Sequence, residues 1–204
     1  MNFTREISLT DITNLNISSS INVEYVKSDN QYAIAMSDTQ KGLDLIELTQ
    51  KDDNLIISQN ADEVVVKRSF FGTTTIITNT PSHKSKVIIG MPYLPNTKIS
   101  GSGSLNGSDL SQSSVKLSVS GSGNIKLQGD IFELKTTVQG SGNINIADLK
   151  CNTLIANVKG SGNIKCFVSE LIEANITGSG SINISGKPAQ RNISKTGSGH
   201  IQFN

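Results

Sequence analysis

Apolar and polar residues alternate along most of the second half of the chain, and the alternation breaks at one recurring place. Val115, Leu117 and Val119 lead into Gly121-Ser122-Gly123, followed by Ile125 and Leu127. The next unit runs Leu134, Thr136, Val138, Gly140-Ser141-Gly142, Ile144 and Ile146. Then come Leu154, Ala156, Val158, Gly160-Ser161-Gly162, Ile164 and Cys166, and after them Ile172, Ala174, Ile176, Gly178-Ser179-Gly180, Ile182 and Ile184. The first unit has Ile99 and Leu105 around Gly101-Ser102-Gly103 but continues with Gly107. The last has Ile193, Ile201 and Phe203 around Gly197-Ser198-Gly199, with Lys195 where a core residue belongs. Successive first glycines lie 20, 19, 20, 18 and 19 residues apart. Period-two alternation predicts strands with one buried face, and a repeat of this length predicts a stacked solenoid.

The parity runs through the turn. Val138 and Ile144 are six residues apart, so Gly140 and Gly142 fall on the inward side and Ser141 and Asn143 on the outward side. At a corner between two strands an inward side chain would collide with the core; glycine removes it and allows unusual backbone angles. Stacking in register puts Ser102, Ser122, Ser141, Ser161, Ser179 and Ser198 in one outer column. A second column holds Asn124, Asn143 and Asn163, flanked by Ser104 and Ser181 and ended by His200, and asparagines so stacked hydrogen-bond from rung to rung. The expected fold is all-β, a parallel β-helix in which each coil adds about 4.8 Å and six coils about 29 Å.

Residues 91–204 carry this repeat. Residues 1–90 read as β as well, either irregular coils continuous with the solenoid or a sandwich-like cap covering its open end, since an exposed terminal coil is an aggregating edge. There "LNISSSINVEY" puts Leu15, Ile21, Val23 and Tyr25 at matching phases, with Ile17 and Ser19 at the glycine positions. Strand-like segments "YAIAM", "LDLIEL", "NLIIS", "EVVVK", "TTTIIT" and "KVIIGM" follow, separated by turn formers such as "KSDNQ" and "QKDDN". No long helix is predicted.

Composition narrows the function classes. The 204 residues carry a net charge of +1, which leaves no electrostatic footprint for nucleic acid. No apolar run approaches the roughly 18–20 residues that span a bilayer. The amino terminus lacks the basic start and apolar centre of a signal peptide, which taken alone favours the cytoplasm. Of the two cysteines, Cys166 sits at a core phase and Cys151 at another, which argues against adjacency while leaving a disulfide open.

At "GSGNI", starting at Gly121, Gly140 and Gly160, and at the lead-in "VIIGMPYLPNTKISGSGSL", with Pro92 and Pro95 before the first turn, the sequence resembles the bacterial head GIN domain family, described as putative autotransporter adhesins. The earlier "INVEYVKSDNQYAIAMSDTQKGLDLIELTQKDDNLIIS" is similar to the family's amino-terminal half. The resemblance implies a right-handed β-helix shaped like the pectin lyases without their catalytic residues. It implies export to the outer membrane, cell surface or periplasm, and a role in adhesion to a glycan or protein of the host or envelope. It brings no catalytic, metal or cofactor residues with it.

The residues themselves offer little chemistry. Asp109, Asp130 and Asp148 follow their first glycines by eight or nine residues and could stack to hold a cation, although aspartate also begins turns unaided. Outward Lys116, Ser118, Lys135, Thr137, Asn157, Lys159, Glu173 and Asn175 form a mixed polar surface. His83 and His200 are far apart in the chain. The glycine turns are neither nucleophile elbows nor phosphate loops, because no helix follows them. Phe70 and Phe71 in "SFFG", residues Ser69–Gly72, are read as a loop packing back on the protein or a self-association patch. The open edge at "IQFN" could be covered by a second copy. The expectation is a non-enzymatic binding solenoid without cofactor or metal. A polysaccharide-active β-helix enzyme and an envelope scaffold with no glycan ligand stand as alternatives.

Overall fold

The alternation becomes strands, and the strands stack. A computed structural model describes residues 3–60, 65–68, 74–77 and 83–204. The amino-terminal half contributes β1 (Phe3–Ser8), β2 (Asn14–Ser18), β3 (Asn22–Lys27), β4 (Tyr32–Ser37), the short helix α1 (Gln40–Asp44), β5 (Ile46–Lys51), β6 (Asn54–Gln59), β7 (Val65–Arg68), β8 (Thr74–Ile77) and β9 (Ser85–Met91). The other half contributes β10 (Asn96–Gly101), β11 (Ser104–Gly121), β12 (Asn124–Gly140), β13 (Asn143–Gly160), β14 (Asn163–Gly178), β15 (Ser181–Ser185), β16 (Gln190–Thr196) and β17 (His200–Phe203). Apart from β7 and β8, these strands join in one sheet that coils into a β-solenoid of about five turns.

Each long strand from β11 to β14 runs from one glycine corner to the next and pairs in parallel with the coil on either side, except that residues 108–116 of β11 pair only with β12. Its inward residues stack on like residues. Val119 pairs with Val138, Val138 with Val158 and Val158 with Ile176; Ile125, Ile144, Ile164, Ile182 and Ile201 form a second column. These columns are buried except at the last rung. A second bend, halfway round each lap, is made by bulges that shift the register between Gly107 and Leu110, Lys126 and Gly129, and Ile146 and Lys150. The gap at Gly107 is filled from the neighbouring rung: a Cβ there would sit 3.1 Å from the Tyr25 Cβ and 3.2 Å from Leu127.

The amino-terminal strands join the same stack, in an order that is not the chain order. β2 lies between β6 and β10, and β3 between β9 and β11, all parallel. The rung of residues 14–27 therefore separates one made by β6 and β9 from one made by β10 and the start of β11. Beyond β6 and β9 the direction reverses: β5 pairs antiparallel with β6 and β4 antiparallel with β9, while α1 turns the corner between β4 and β5. β1 pairs antiparallel with β4 as the outermost strand on that side. β7 and β8 form a separate antiparallel pair.

Two sequence expectations are corrected here. The phase inferred for "LNISSSINVEY" slips by two residues, because Ile17 pairs with Ile99 and Val23 with Leu105. Ser19 and Ile21, rather than Ile17 and Ser19, thus occupy the corner positions. A two-residue slip leaves every side chain on the same face, so alternation cannot detect it where no glycine marks the corner. In "LDLIEL" only the latter part is strand; Leu43 and Asp44 belong to α1, whose capping residue Thr39 accepts a hydrogen bond from the Gly42 amide at 3.0 Å. The Ser69–Gly72 stretch lies outside the described residues.

Candidate functional site

The corner glycines lie along one ridge. Gly101 pairs with Gly121, Gly121 with Gly140, Gly140 with Gly160 and Gly160 with Gly178, and Gly199 donates to the Gly178 carbonyl at 2.9 Å. The two glycines of each corner differ in role. Gly140 has φ +114° and stands at the surface, while Gly142 is the buried one. The inward placement expected for both therefore holds for Gly103, Gly123, Gly142, Gly162, Gly180 and Gly199, whereas Gly101, Gly121, Gly140, Gly160, Gly178 and Gly197 turn the chain with positive φ at the surface.

Beside this ridge, the Asn143 side-chain amide donates to Asn124 Oδ1 at 3.0 Å and that of Asn163 to Asn143 Oδ1 at 2.9 Å. The column extends in register through Ser104 to Asn22 on one side and through Ser181 to His200 on the other; Ser104 donates to Asn22 Oδ1 at 2.7 Å. Asn175 bonds Asn157 at 3.2 Å on another face. Among the columns of outward residues, Ser118, Thr137, Asn157 and Asn175 stand in one, and Lys116, Lys135 and Glu173 in the next. Smaller open clefts lie along these rows, one of about 450 Å³ beside Asn143, Asn163 and Ser181 and one of about 370 Å³ beside Lys116 and Lys135.

Asp109, Asp130 and Asp148 do not stack. Asp130 pairs with Ser111 on one side and Lys150 on the other. Asp109 sits in the first bulge with φ +59°, and Asp148 lies in the bulge of its own coil, within reach of Gln128 at 3.4 Å. Counting from the glycines fails past bends that absorb different numbers of residues. Among the described residues no three histidine, cysteine or acidic side chains group as metal ligands. Cys151 and Cys166 are buried free thiols, both pushed up to about 12 by burial. His83 Nδ1 lies 2.7 Å from the Thr39 hydroxyl beneath α1, and His200 is exposed on the last rung.

A roomier concave site lies on the strip just past the bulges. Here Ile131 points inward and is buried, so its neighbours Asp130 and Phe132 point out. Parallel pairing sets Ser111, Asp130 and Lys150 side by side, and Ser113, Phe132 and Asn152 in the adjacent column. The loop between β9 and β10 covers the preceding rung and carries Tyr93. Gln112 clamps that loop: its Oε1 accepts from the Leu94 amide at 2.8 Å, and its Nε2 donates to the carbonyls of Leu94 at 3.1 Å and Ser114 at 2.9 Å. Asn96 Oδ1 in turn accepts from the Lys116 amide at 3.0 Å. Together they enclose an open cleft of about 770 Å³, within the range of small-molecule sites. Tyr93 is 64% exposed and Phe132 54%, more than the other exposed large hydrophobic residues among the described residues, and both border this cleft.

Neither aromatic was singled out in the sequence. Phe132 was legible, because parity from the buried Ile131 turns it outward. Tyr93 lies in the proline-flanked lead-in, but its placement depends on Gln112, nineteen residues further on.

A model of the family described as putative auto-transporter adhesin, head GIN domain, matches residues 11–188. No curated protein matches the chain at a significant level. A putative adhesin from Bacteroides fragilis superposes with a TM-score of 0.74 at 22% identity, over 99% of this chain and 96% of that one. A putative adhesin from Parabacteroides distasonis gives 0.59 at 18% identity, and a putative lipid binding protein from the same species 0.54 at 21%, each over 99% of this chain and 96% of the other. At these identities the likeness is one of fold.

Proposed function

The chain belongs to the putative auto-transporter adhesin, head GIN domain family, and from that premise we propose that it is a non-enzymatic binding module working at the cell surface or in the envelope. The observation that carries this reading is the cleft. It is built from outward side chains on consecutive, parallel-paired rungs and from a loop that Gln112 clamps onto them, so its walls are set before any partner arrives. Two further features support it. Two of the solved structures of the same fold are named as putative adhesins. The three aspartates that calcium-assisted or acid–base chemistry on a polysaccharide would draw on stand apart from one another.

The test is adhesion itself. Beads coated with the protein are expected to adhere to envelope preparations or to host mucosal glycoprotein, and soluble protein to compete them off. Polysaccharide incubated with the protein and calcium should keep its chain length. Depolymerisation, or failure to adhere to any of these surfaces, would overturn the reading. Surface labelling of intact cells should reach the native protein.

A further inference from the structure

We propose that the cleft bordered by Tyr93 and Phe132 binds a linear, uncharged oligosaccharide. The proposal rests on the binding-module reading and names the chemistry of its ligand. A pyranose ring offers two kinds of surface, an apolar face of C–H bonds and a rim of hydroxyls. The cleft offers the counterparts of both.

Tyr93 and Phe132 supply the flat apolar plates. An exposed ring on a soluble protein leaves a large amphipathic face in water, and its burial against a partner returns that area. The loop bearing Tyr93 lies on the rung before residues 111–114, and Phe132 lies on the rung after. The two rings are therefore separated along the solenoid axis by two strand spacings, about 10 Å, with Ser113 on the rung between. Such an arrangement suits a chain of rings running along the axis better than a single compact ligand.

The rest of the lining suits the hydroxyl rim. Ser111, Ser113 and Asn152 provide donors and acceptors, and Asp130 and Lys150 stand on adjacent rungs. These two are the charged residues lining the cleft, and they cancel. An acidic polymer gains no net attraction there, while a sugar hydroxyl can donate to the aspartate and accept from the lysine at once. A peptide is less well served. Extended peptides bind by adding backbone hydrogen bonds to a free sheet edge; β12 and β13 are paired on both sides here, and the earlier edge of residues 111–116 is faced by the loop that Gln112 and Asn96 hold in place. The Gln112 clamp holds the Tyr93 loop before any ligand arrives, which lowers the ordering cost of binding.

An array of neutral and acidic oligosaccharides, followed by titration calorimetry on the hits, tests the proposal. Cellohexaose, mannohexaose, maltohexaose and hexa-N-acetylchitohexaose represent the neutral class and hexagalacturonate the acidic one. At least one neutral chain is expected to bind, longer chains more tightly than disaccharides. Tyr93→Ala and Phe132→Ala should each weaken binding by about tenfold, as loss of an aromatic anchor does, while Tyr93→Phe and the distant Val26→Ser should keep it, with circular dichroism showing each variant folded. Binding of acidic chains alone, binding of none, or binding indifferent to both alanine variants would overturn the proposal. If the coated beads still adhere in that event, the ligand class fails and the adhesive reading survives. If sugars bind through Tyr93 and the beads do not adhere, the adhesive reading fails and the site stands.

Discussion

Replacing Gly142 with alanine tests the corner on which the stack depends. Gly142 does not take positive φ, so alanine can adopt its backbone conformation and the cost is steric. The added Cβ would lie 2.5 Å from the Gly123 carbonyl oxygen and 2.5 Å from Val119 Cγ1. The valine can turn, but the carbonyl cannot, since it is held within the neighbouring rung and accepts the Asn143 amide at 3.0 Å. Overpacking at one site costs about 1–3 kcal/mol, and loosening that hydrogen bond adds roughly 0.5–1.5 kcal/mol. The stiffer unfolded chain returns about 0.4–1 kcal/mol. The expected net loss is thus about 2–3 kcal/mol. In urea, with a slope near 2 kcal/mol per molar, the midpoint should fall by about 1 M. Ser141→Ala, at the exposed tip of the same corner, should stay within about 0.5 kcal/mol of the parent. A Gly142→Ala protein as stable as the parent, or a Ser141→Ala protein equally damaged, would refute the idea that close approach of successive corners selects glycine.

Asn143→Ala breaks the ladder bonds to Asn124 and Asn163 and should cost about 1–2 kcal/mol, read from the same urea midpoints. Cys151 and Cys166, pushed up to about 12 from 9.0 by burial, should resist a thiol reagent at pH 8 until the protein unfolds. Because the folded state holds these protons more tightly than the unfolded one, their contribution is intact below pH 9 and lost as pH rises from 9 towards 12; a Cys151→Val, Cys166→Val double variant should flatten the alkaline slope in pH-dependent melts. Lys195 and Arg191 pair in register with Ile176 and Ile172, so the last rung sets charge at positions that are apolar in the rungs before it. Lys195→Ile should yield concentration-dependent association in sedimentation velocity, as inward charge is one way an edge is kept from pairing.

Much of the solenoid was legible because two independent signals agree in it. Alternation assigned the inward residues, and the glycines marked where each lap begins, so the columns through Val119 and Ile125 follow from counting alone. Where only one signal survives, counting slips. Residues 14–27 alternate well but lack the corner glycine, and their phase came out two residues away. Past the bulges the laps differ in length, which is why the aspartate column dissolved. The reversed rung of β4, α1 and β5 carries no pattern that distinguishes it from a forward one, since strand direction leaves alternation unchanged. Of the cleft, Phe132 could be read from Ile131, whereas Tyr93 and its clamp depend on contacts between laps.

The placement of residues 14–27 between rungs formed by later parts of the chain bears on how the molecule is assembled. Each coil from β11 onward needs only its predecessor, so these layers can be laid down one at a time. The layer made by β2 and β3 must wait for β6 and β9 on one flank and for β10 and the start of β11 on the other, and such distant closures slow folding. Trimming this protein from its start as far as Lys27 therefore opens a gap in its interior, whereas trimming it from the opposite terminus only lowers its height.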